Sequence, residues 1–213
     1  MRLRHRKWAD TVLLENKDIG INLSDIKEET VLPFDELEIG SGCGGFILEL
    51  SKLHPEHKYL GVEINLNAFS MAVKKASLVK KEQTNFLLLN SPIDRVIPLI
   101  KDQQLNDIYI NFPDPWPKKK QHHRRLSYVP MLQSYFRLLK DNGTIYFRTD
   151  NSDLFNDSVG YFKDSGLYDF EVISPFYSEK VDYLPATEYE KKFRAKGVAI
   201  NLLIAHKKKD VKI

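Results

Sequence analysis

At 213 residues the chain has room for one domain with a full-sized core, and 42% hydrophobic with 29% charged residues is ordinary for a globular protein. A net charge of +3 announces no polyanion partner by itself, and a single cysteine excludes an internal disulfide and any multi-cysteine zinc site. No apolar run reaches membrane-spanning length and no apolar segment follows the basic N-terminus, so no signal peptide is expected and the cytoplasm is the expected location.

Arg2, Arg4, Arg6 and Lys7 open a basic segment of about residues 1–30 that leads into the domain. Leu32 to Ile39 reads as a first buried strand, followed by a glycine-rich turn and an apolar helix from about Phe46 to Leu53. Lys58 to Ile64 is a second strand, and a helix carrying Ala68, Met71, Ala72 and Ala76 follows. A third strand is predicted at Asn85 to Leu89, a short helix at Pro92 to Ile100 and a fourth strand at Asp107 to Phe112. Beyond a basic run, Tyr128 to Leu139 is helical, Thr144 to Thr149 is a fifth strand, and Leu154 to Lys163 is a helix entered through several N-cap candidates. The remainder gives a strand near Tyr168 to Ile173, a helix around Glu188 to Lys196 and a last strand from Val198 to His206, with Lys207, Lys208, Lys209 and Lys212 closing the chain. Strands alternating with helices at this spacing predict an α/β, doubly wound sheet, mostly parallel, in a single domain over 1–213. Ligands of such sheets lie beyond the C-terminal strand ends, where Glu38 to Gly45, Glu63, Asn90 and Asn111 to Asp114 all fall.

Two of these strand ends carry chemistry. Gly40, Gly42 and Gly45 fit G-x-G-x-x-G after the first strand, and Glu63 ends the second strand, which together form a fingerprint for a ribose-bearing cofactor. The pattern alone does not separate a nicotinamide from S-adenosylmethionine. Glu38, two residues before the first glycine, opposes a pyrophosphate and suits the ammonium end of the methyl donor. The fourth strand runs into Asn111-Phe112-Pro113-Asp114-Pro115-Trp116-Pro117, whose prolines stiffen the turn and are expected to hold the residues before them extended. Asp114 therefore sits in a rigid loop beside Lys118, Lys119, Lys120, Arg124 and Arg125, a phosphate anchor with no intervening acid. A rigid carboxylate next to a phosphate clamp points to chemistry on a nucleic acid. Trp116 is placed to stack on a base or to pack inside. His122 and His123 lack a third ligand nearby, so no metal is assigned.

These residues resemble the bacterial tRNA (guanine-N7)-methyltransferases over nearly the whole chain. The resemblance starts at Arg2 to Ala9 and continues through Glu38 to Gly42, Gly61 to Ile64, Asn111 to Lys119, Arg124 to Leu126, Thr149 to Asn151 and Thr187 to Phe193. The resemblance implies a Rossmann-like class I methyltransferase sheet with an antiparallel C-terminal strand. It implies methyl transfer from S-adenosylmethionine to N7 of a guanosine in the tRNA variable loop, with no obligate protein partner and a monomer or homodimer. It assigns Glu38, Gly40, Gly42, Glu63 and the Asn90-Ser91 end of the third strand to the donor, and Asp114 to both the donor and the reacting centre. Lys118, Asp150 and Thr187-Glu188-Tyr189-Glu190 go to the tRNA, and the charge of Arg124 and Arg125 is expected to hold its flanking backbone. Many members carry an aspartate just after the third strand; here the segment is Leu89-Asn90-Ser91, and Asp94 comes about a turn too late.

Two of these positions have a structural reading as well. Asp150 suits guanine N1–H or the N2 amino group, or a helix N-cap. Thr187 suits a helix cap, with Glu190 three residues on as its capping-box partner. Two other classes compete. An amino-directed DNA or RNA methyltransferase would use a similar proline turn, but aspartate stands here where a second proline belongs. A nicotinamide-dependent oxidoreductase would share the glycine loop.

Overall fold

Burial decides where the strands run. Every residue of Glu36–Ile39 and of Tyr59–Glu63 is buried, the near-continuous pattern of parallel strands covered on both faces. The computed structural model describes residues 7–26, 32–176 and 184–211, so Arg2, Arg4, Arg6 and Lys212 lie outside the described residues. The chain divides into two units, Met1–Ile100 and Lys101–Ile213.

In the first unit the order along the chain is α1 (Lys7–Glu15), β1 (Gly20–Asn22), β2 (Glu36–Ile39), α2 (Gly45–Leu53), β3 (Tyr59–Glu63), α3 (Leu66–Val79), β4 (Phe86–Asn90) and α4 (Ile93–Val96). Its strands lie in the order β1-β4-β3-β2, and every pair is parallel. Leu37, Leu60 and Leu88 form the middle of the sheet; Ile47, Leu50, Phe69, Val73 and Ala76 from the helices bury against it. α1 and β1 are not foreseen by the sequence reading, because Gly20-Ile21-Asn22 is too short to show a period. β2 starts at Glu36 instead of Leu32 because Pro33 has no N–H for a ladder. The helix expected to run to Ile100 stops at Val96 and continues as a 3₁₀ turn over Ile97–Leu99, where Pro98 interrupts the α pattern.

The second unit contains β5 (Leu105–Asn111), α5 (Val129–Leu138), β6 (Leu139–Thr149), α6 (Ser152–Ser165), β7 (Tyr168–Phe176), α7 (Glu188–Arg194) and β8 (Ile200–Lys207). Here the order is β5-β6-β8-β7, with β5 and β6 parallel and β8 antiparallel to both its neighbours. This is the antiparallel C-terminal strand of an otherwise parallel α/β architecture. Lys207, the first of the closing lysines, is tied to the sheet: its Nζ donates to Leu139 O at 2.7 Å and lies 4.7 Å from the Phe136 ring centre. Among the described residues no helix is long and apolar enough to cross a membrane.

Two glycines give opposite expectations. Gly44 caps α2 at φ 76°, and a Cβ there would stand 2.9 Å from Ala72 Cβ. Gly44→Ala should therefore lower stability by about 1–3 kcal/mol through left-handed strain and overlap. Gly160, inside α6, would present its Cβ to open space, and Gly160→Ala should raise stability by about 0.5–1 kcal/mol. Urea denaturation midpoints read both; a Gly44→Ala midpoint equal to the parent's would remove the close approach at Ala72.

Candidate active site

In the first unit the C-terminal ends of β2, β3 and β4 carry the candidate donor residues. Glu38 is buried at the end of β2. The loop behind it turns through Gly40, Gly42 and Gly44 at φ 76°, 54° and 76°, conformations that favour glycine. Glu63 ends β3 and ties this loop down: its Oε2 accepts from Gly42 N–H at 2.8 Å and its Oε1 from Asn65 N–H at 2.7 Å. Asn65 in turn caps α3, accepting from Asn67 and Ala68 N–H. Asn90 donates its side-chain amide to Glu63 O at 2.7 Å, so it fixes the end of β3. Ser91 is buried and donates to Pro92 O. Asp94 lies in the first turn of α4, past the strand end.

Two observations test whether these residues fit S-adenosylmethionine. An added Cβ at Gly40 or Gly42 meets no atom within 4 Å, so a ligand can approach the backbone of the loop there. Ser41 Oγ is buried with no hydrogen-bond partner, a donor and acceptor left for a ligand. The cradle fits the group: Glu38, Gly40, Gly42, Glu63, Asn90 and Ser91 are the residues that would hold it.

In the second unit, Asn111 ends β5 and the proline turn follows. Phe112 and Trp116 stand at φ 50° and 41°, which corrects the expectation that the following prolines hold them extended. The proline ring disfavours the right-handed helical region for its predecessor. The chain instead takes the left-handed one, at about 1–3 kcal/mol for each such residue. Ring contacts offset the strain. Phe112 lies 4.6 Å from the Tyr189 ring, and Arg124 sits 4.9 Å above Trp116. Between these two aromatic residues Asp114 is exposed and makes no hydrogen bond or ion pair with the described residues.

The basic run is a 3₁₀ helix over Lys119–Arg124, and its cations part company. Lys118, Lys119, Lys120 and Arg124 are exposed, whereas Arg125 is buried. Arg125 Nε donates to Pro115 O at 2.8 Å, Nη1 to Asp157 at 2.6 Å and to the Tyr161 hydroxyl at 3.2 Å, and Nη2 to Trp116 O at 3.4 Å. Arg125 thus differs from the expectation of a phosphate anchor and clamps the turn to α6. His122 Nδ1 meets the Tyr161 hydroxyl at 3.2 Å. Among the described residues no group of three or more His, Cys, Asp or Glu side chains forms a metal site.

Asp150 follows β6 but is not a helix cap; Asn151 fills that role, accepting from Leu154 N–H at 2.8 Å. Asp150 instead accepts from the Tyr189 hydroxyl at 3.2 Å. Burial first, and then the Asp150 carboxylate, hold that hydroxyl above the usual tyrosine range. Thr187 caps α7 by accepting from Glu190 N–H at 2.9 Å. The capping-box half of the expectation is corrected: the Glu190 carboxylate is fully buried and pairs with Arg148 at 3.0 Å and with Arg194 at 2.8 Å. Glu188 and Tyr189 are exposed, and Tyr189 stacks on Phe193 at 4.1 Å. Arg148 is the residue that the sequence reading missed. It sits inside an apolar strand, where the only signal is a charge in a run meant to be buried on both faces.

A family model described as a putative methyltransferase matches residues 34–203. A tRNA (guanine-N(7)-)-methyltransferase of Bacillus subtilis (strain 168) is 37% identical over 206 residues, covering 94% of this chain and 96% of that protein. Among solved structures, the 16S rRNA methyltransferase KamB has a TM-score of 0.59 at 13% identity, with 83% of this chain and 89% of that one covered. A SAM-dependent methyltransferase from Archaeoglobus fulgidus has a TM-score of 0.54 at 15% identity, with 82% and 86% covered. The last two show the fold.

The division among the cations is measurable without substrate. Arg125→Met removes charged hydrogen bonds to two elements and should cost about 2–3 kcal/mol, a fall in Tm of about 5–10 °C for a chain of this size. Arg124→Ala, at the surface, should stay within about 0.5 kcal/mol of the parent. Equal shifts for the two variants would contradict the clamp.

Proposed function

Because the chain belongs to the tRNA (guanine-N7-)-methyltransferase family, we propose that it methylates N7 of a guanosine in the variable loop of tRNA, forming 7-methylguanosine. S-adenosylmethionine supplies the methyl group as an electrophile on sulfur. The observation that carries the reading is Asp114: an exposed carboxylate with no partner among the described residues, on a turn clamped by Arg125 and flanked by exposed cations.

Guanine N7 has a free lone pair and no proton at neutral pH, so no general base is required. The product ring is cationic, and positive charge grows on the purine as the bond to the methyl carbon forms. A carboxylate beside the ring stabilises that charge, which is the role of Asp114. The rest of the acceleration comes from holding N7 in line with the methyl carbon and sulfur. Asp150 accepts from guanine N1–H or the N2 amino group in place of the Tyr189 hydroxyl, which discriminates against adenine. Lys118 and Arg124 hold the flanking phosphates, and the ring of Trp116, already under a guanidinium, offers a face to a base. Thr187, Glu188 and Tyr189 present the start of α7 to the tRNA. N7 lies on the Hoogsteen edge, so the base is captured outside its tertiary contacts. A tRNA substrate places the reaction in the cytoplasm.

Nucleoside mass spectrometry on unmodified tRNA transcript, incubated with the protein and S-adenosylmethionine, tests the reading. Wild-type protein should yield 7-methylguanosine, mapped by chain cleavage to the variable loop; a different methylated nucleoside would overturn it. Asp114→Asn should lower kcat on the order of 10²–10³-fold while S-adenosylhomocysteine still binds in calorimetry. Lys118→Ala and Arg124→Ala should each reduce the slope of log Kd against log salt by about one, leaving kcat at saturating tRNA near the parent's.

A further inference from the structure

Arg148 is a guanidinium with a fully buried side chain, and its groups reach the two segments to which the reaction assigns substrate work. It lies opposite Asn111 in the parallel β5–β6 register. Its Nε donates to Asn111 Oδ1 at 2.7 Å, and its own carbonyl accepts from Phe112 N–H at 2.8 Å. Its Nη1 donates to Pro185 O at 3.0 Å and to Glu190 Oε2 at 3.0 Å. One face of the guanidinium therefore holds the first residues of the turn bearing Asp114, and another holds the segment and first turn of α7 bearing Thr187 and Tyr189. Glu190 is fully buried in this pair and in a second one with Arg194, which itself donates to Phe176 O at 2.8 Å.

We propose that Arg148, with Glu190 as its counter-charge, is a positioning residue for the reaction: it locks the Asn111–Asp114 turn to the start of α7 so that Asp114, Asp150 and Tyr189 are held in one fixed arrangement. This proposal rests on the methyltransferase reading above. Glu190 acts through Arg148, not by touching tRNA. Three features of the arrangement support it. The fork geometry of a guanidinium bonds two groups at fixed angles, which an ammonium does not do. The Phe112 ring lies 4.6 Å from the Tyr189 ring, so the two segments also meet directly through their side chains. Phe112 stands at φ 50°, a backbone that persists only where its surroundings over-determine it.

The test has an arm that needs no substrate and an arm that does. Arg148→Lys keeps a charge against Glu190 but loses the fork; Asn111→Ala removes the acceptor of Nε and leaves the Arg148–Glu190 pair. Amide hydrogen exchange of the peptide spanning Asn111–Trp116 should become faster in both variants. At saturating tRNA, kcat should fall on the order of 10²-fold in each, with tRNA KM and S-adenosylhomocysteine affinity within about twofold of the parent's. The double variant should be no slower than the worse single one, because both changes break the same link. Unchanged exchange in the two variants overturns the proposal, as does a raised tRNA KM with kcat intact, which would make this corner a substrate contact. An additive double variant overturns it as well. If Arg148→Lys does not fold, Asn111→Ala decides alone by the same readouts. A wild-type protein that makes no 7-methylguanosine defeats the functional reading only, and the exchange arm still decides whether Arg148 holds the turn.

Discussion

A guanidinium taken out of water costs several kcal/mol unless well-placed acceptors meet its donors, and the second unit contains two that are buried among such acceptors. Arg148 bonds through Nε to Asn111 and through Nη1 to Pro185 and Glu190, and Arg125 bonds to Pro115, Trp116, Asp157 and Tyr161. Between them they hold both ends of the turn that carries Asp114. Asn111 stands at its start and Pro115 and Trp116 at its end, so the carboxylate projects from a stretch of chain pinned at either side. Apolar packing alone would not do this. A loop outside a sheet has few buried methyl groups, and its orientation must come from directional bonds.

The same logic explains why the turn tolerates strain. Phe112 and Trp116 both occupy left-handed backbone conformations, each in front of a proline that already restricts its predecessor. Without the two arginines an extended arrangement would relieve both residues. With them both residues keep left-handed φ values, and the aromatic rings lie against Tyr189 and under Arg124. The prolines contribute by limiting the unfolded alternatives. The structure is thus fixed from two directions: few conformations are open to the chain, and the one adopted is bonded at its ends.

Much of the fold was legible in the sequence because strands buried in the sheet read as apolar runs: parallel β3 and β4 show such runs plainly, and so does antiparallel β8. The alternation with helices followed, whereas the antiparallel last strand was implied by the family resemblance and by no pattern in the residues. What was not legible had no periodic signal: β1 is a three-residue strand, and the 3₁₀ helix of the basic run has too few residues for a pattern. The site was legible in residue type and less so in role. Lys118, Arg124 and Arg125 look alike in a string of cations, and only the fold shows that Arg125 points inward. Glu190 reads as a capping-box residue by its spacing from Thr187, yet its carboxylate pairs with the buried guanidinium of Arg148 and with Arg194 instead of the Thr187 amide. Arg148 itself was hidden because strand reading treats a lone charge within an apolar run as noise. Glu63 was chosen for a ribose, and in the structure its carboxylate also binds Gly42 and Asn65 N–H. A carboxylate has about four acceptor positions, so the two uses are compatible, and the loop is held in place by the group that would meet the ligand.

The exposure of Asp114 sets a condition on the role proposed for it. Facing water, a unit charge about 4 Å from another contributes only about 1 kcal/mol, and about 4 kcal/mol when the surroundings become protein-like. A carboxylate on an open turn therefore stabilises a cationic purine weakly until the purine itself displaces the water. The residues around it favour that displacement: Pro113, Pro115, Phe112 and Trp116 carry no charge and are half-buried. Cations stand just beyond them at Lys118 to Lys120 and Arg124, far enough along the chain to take phosphates and not the carboxylate. Such a turn is a weak electrostatic device when empty and a stronger one when a base covers it. This is the arrangement expected where charge must be felt by the transition state and not by the solvent.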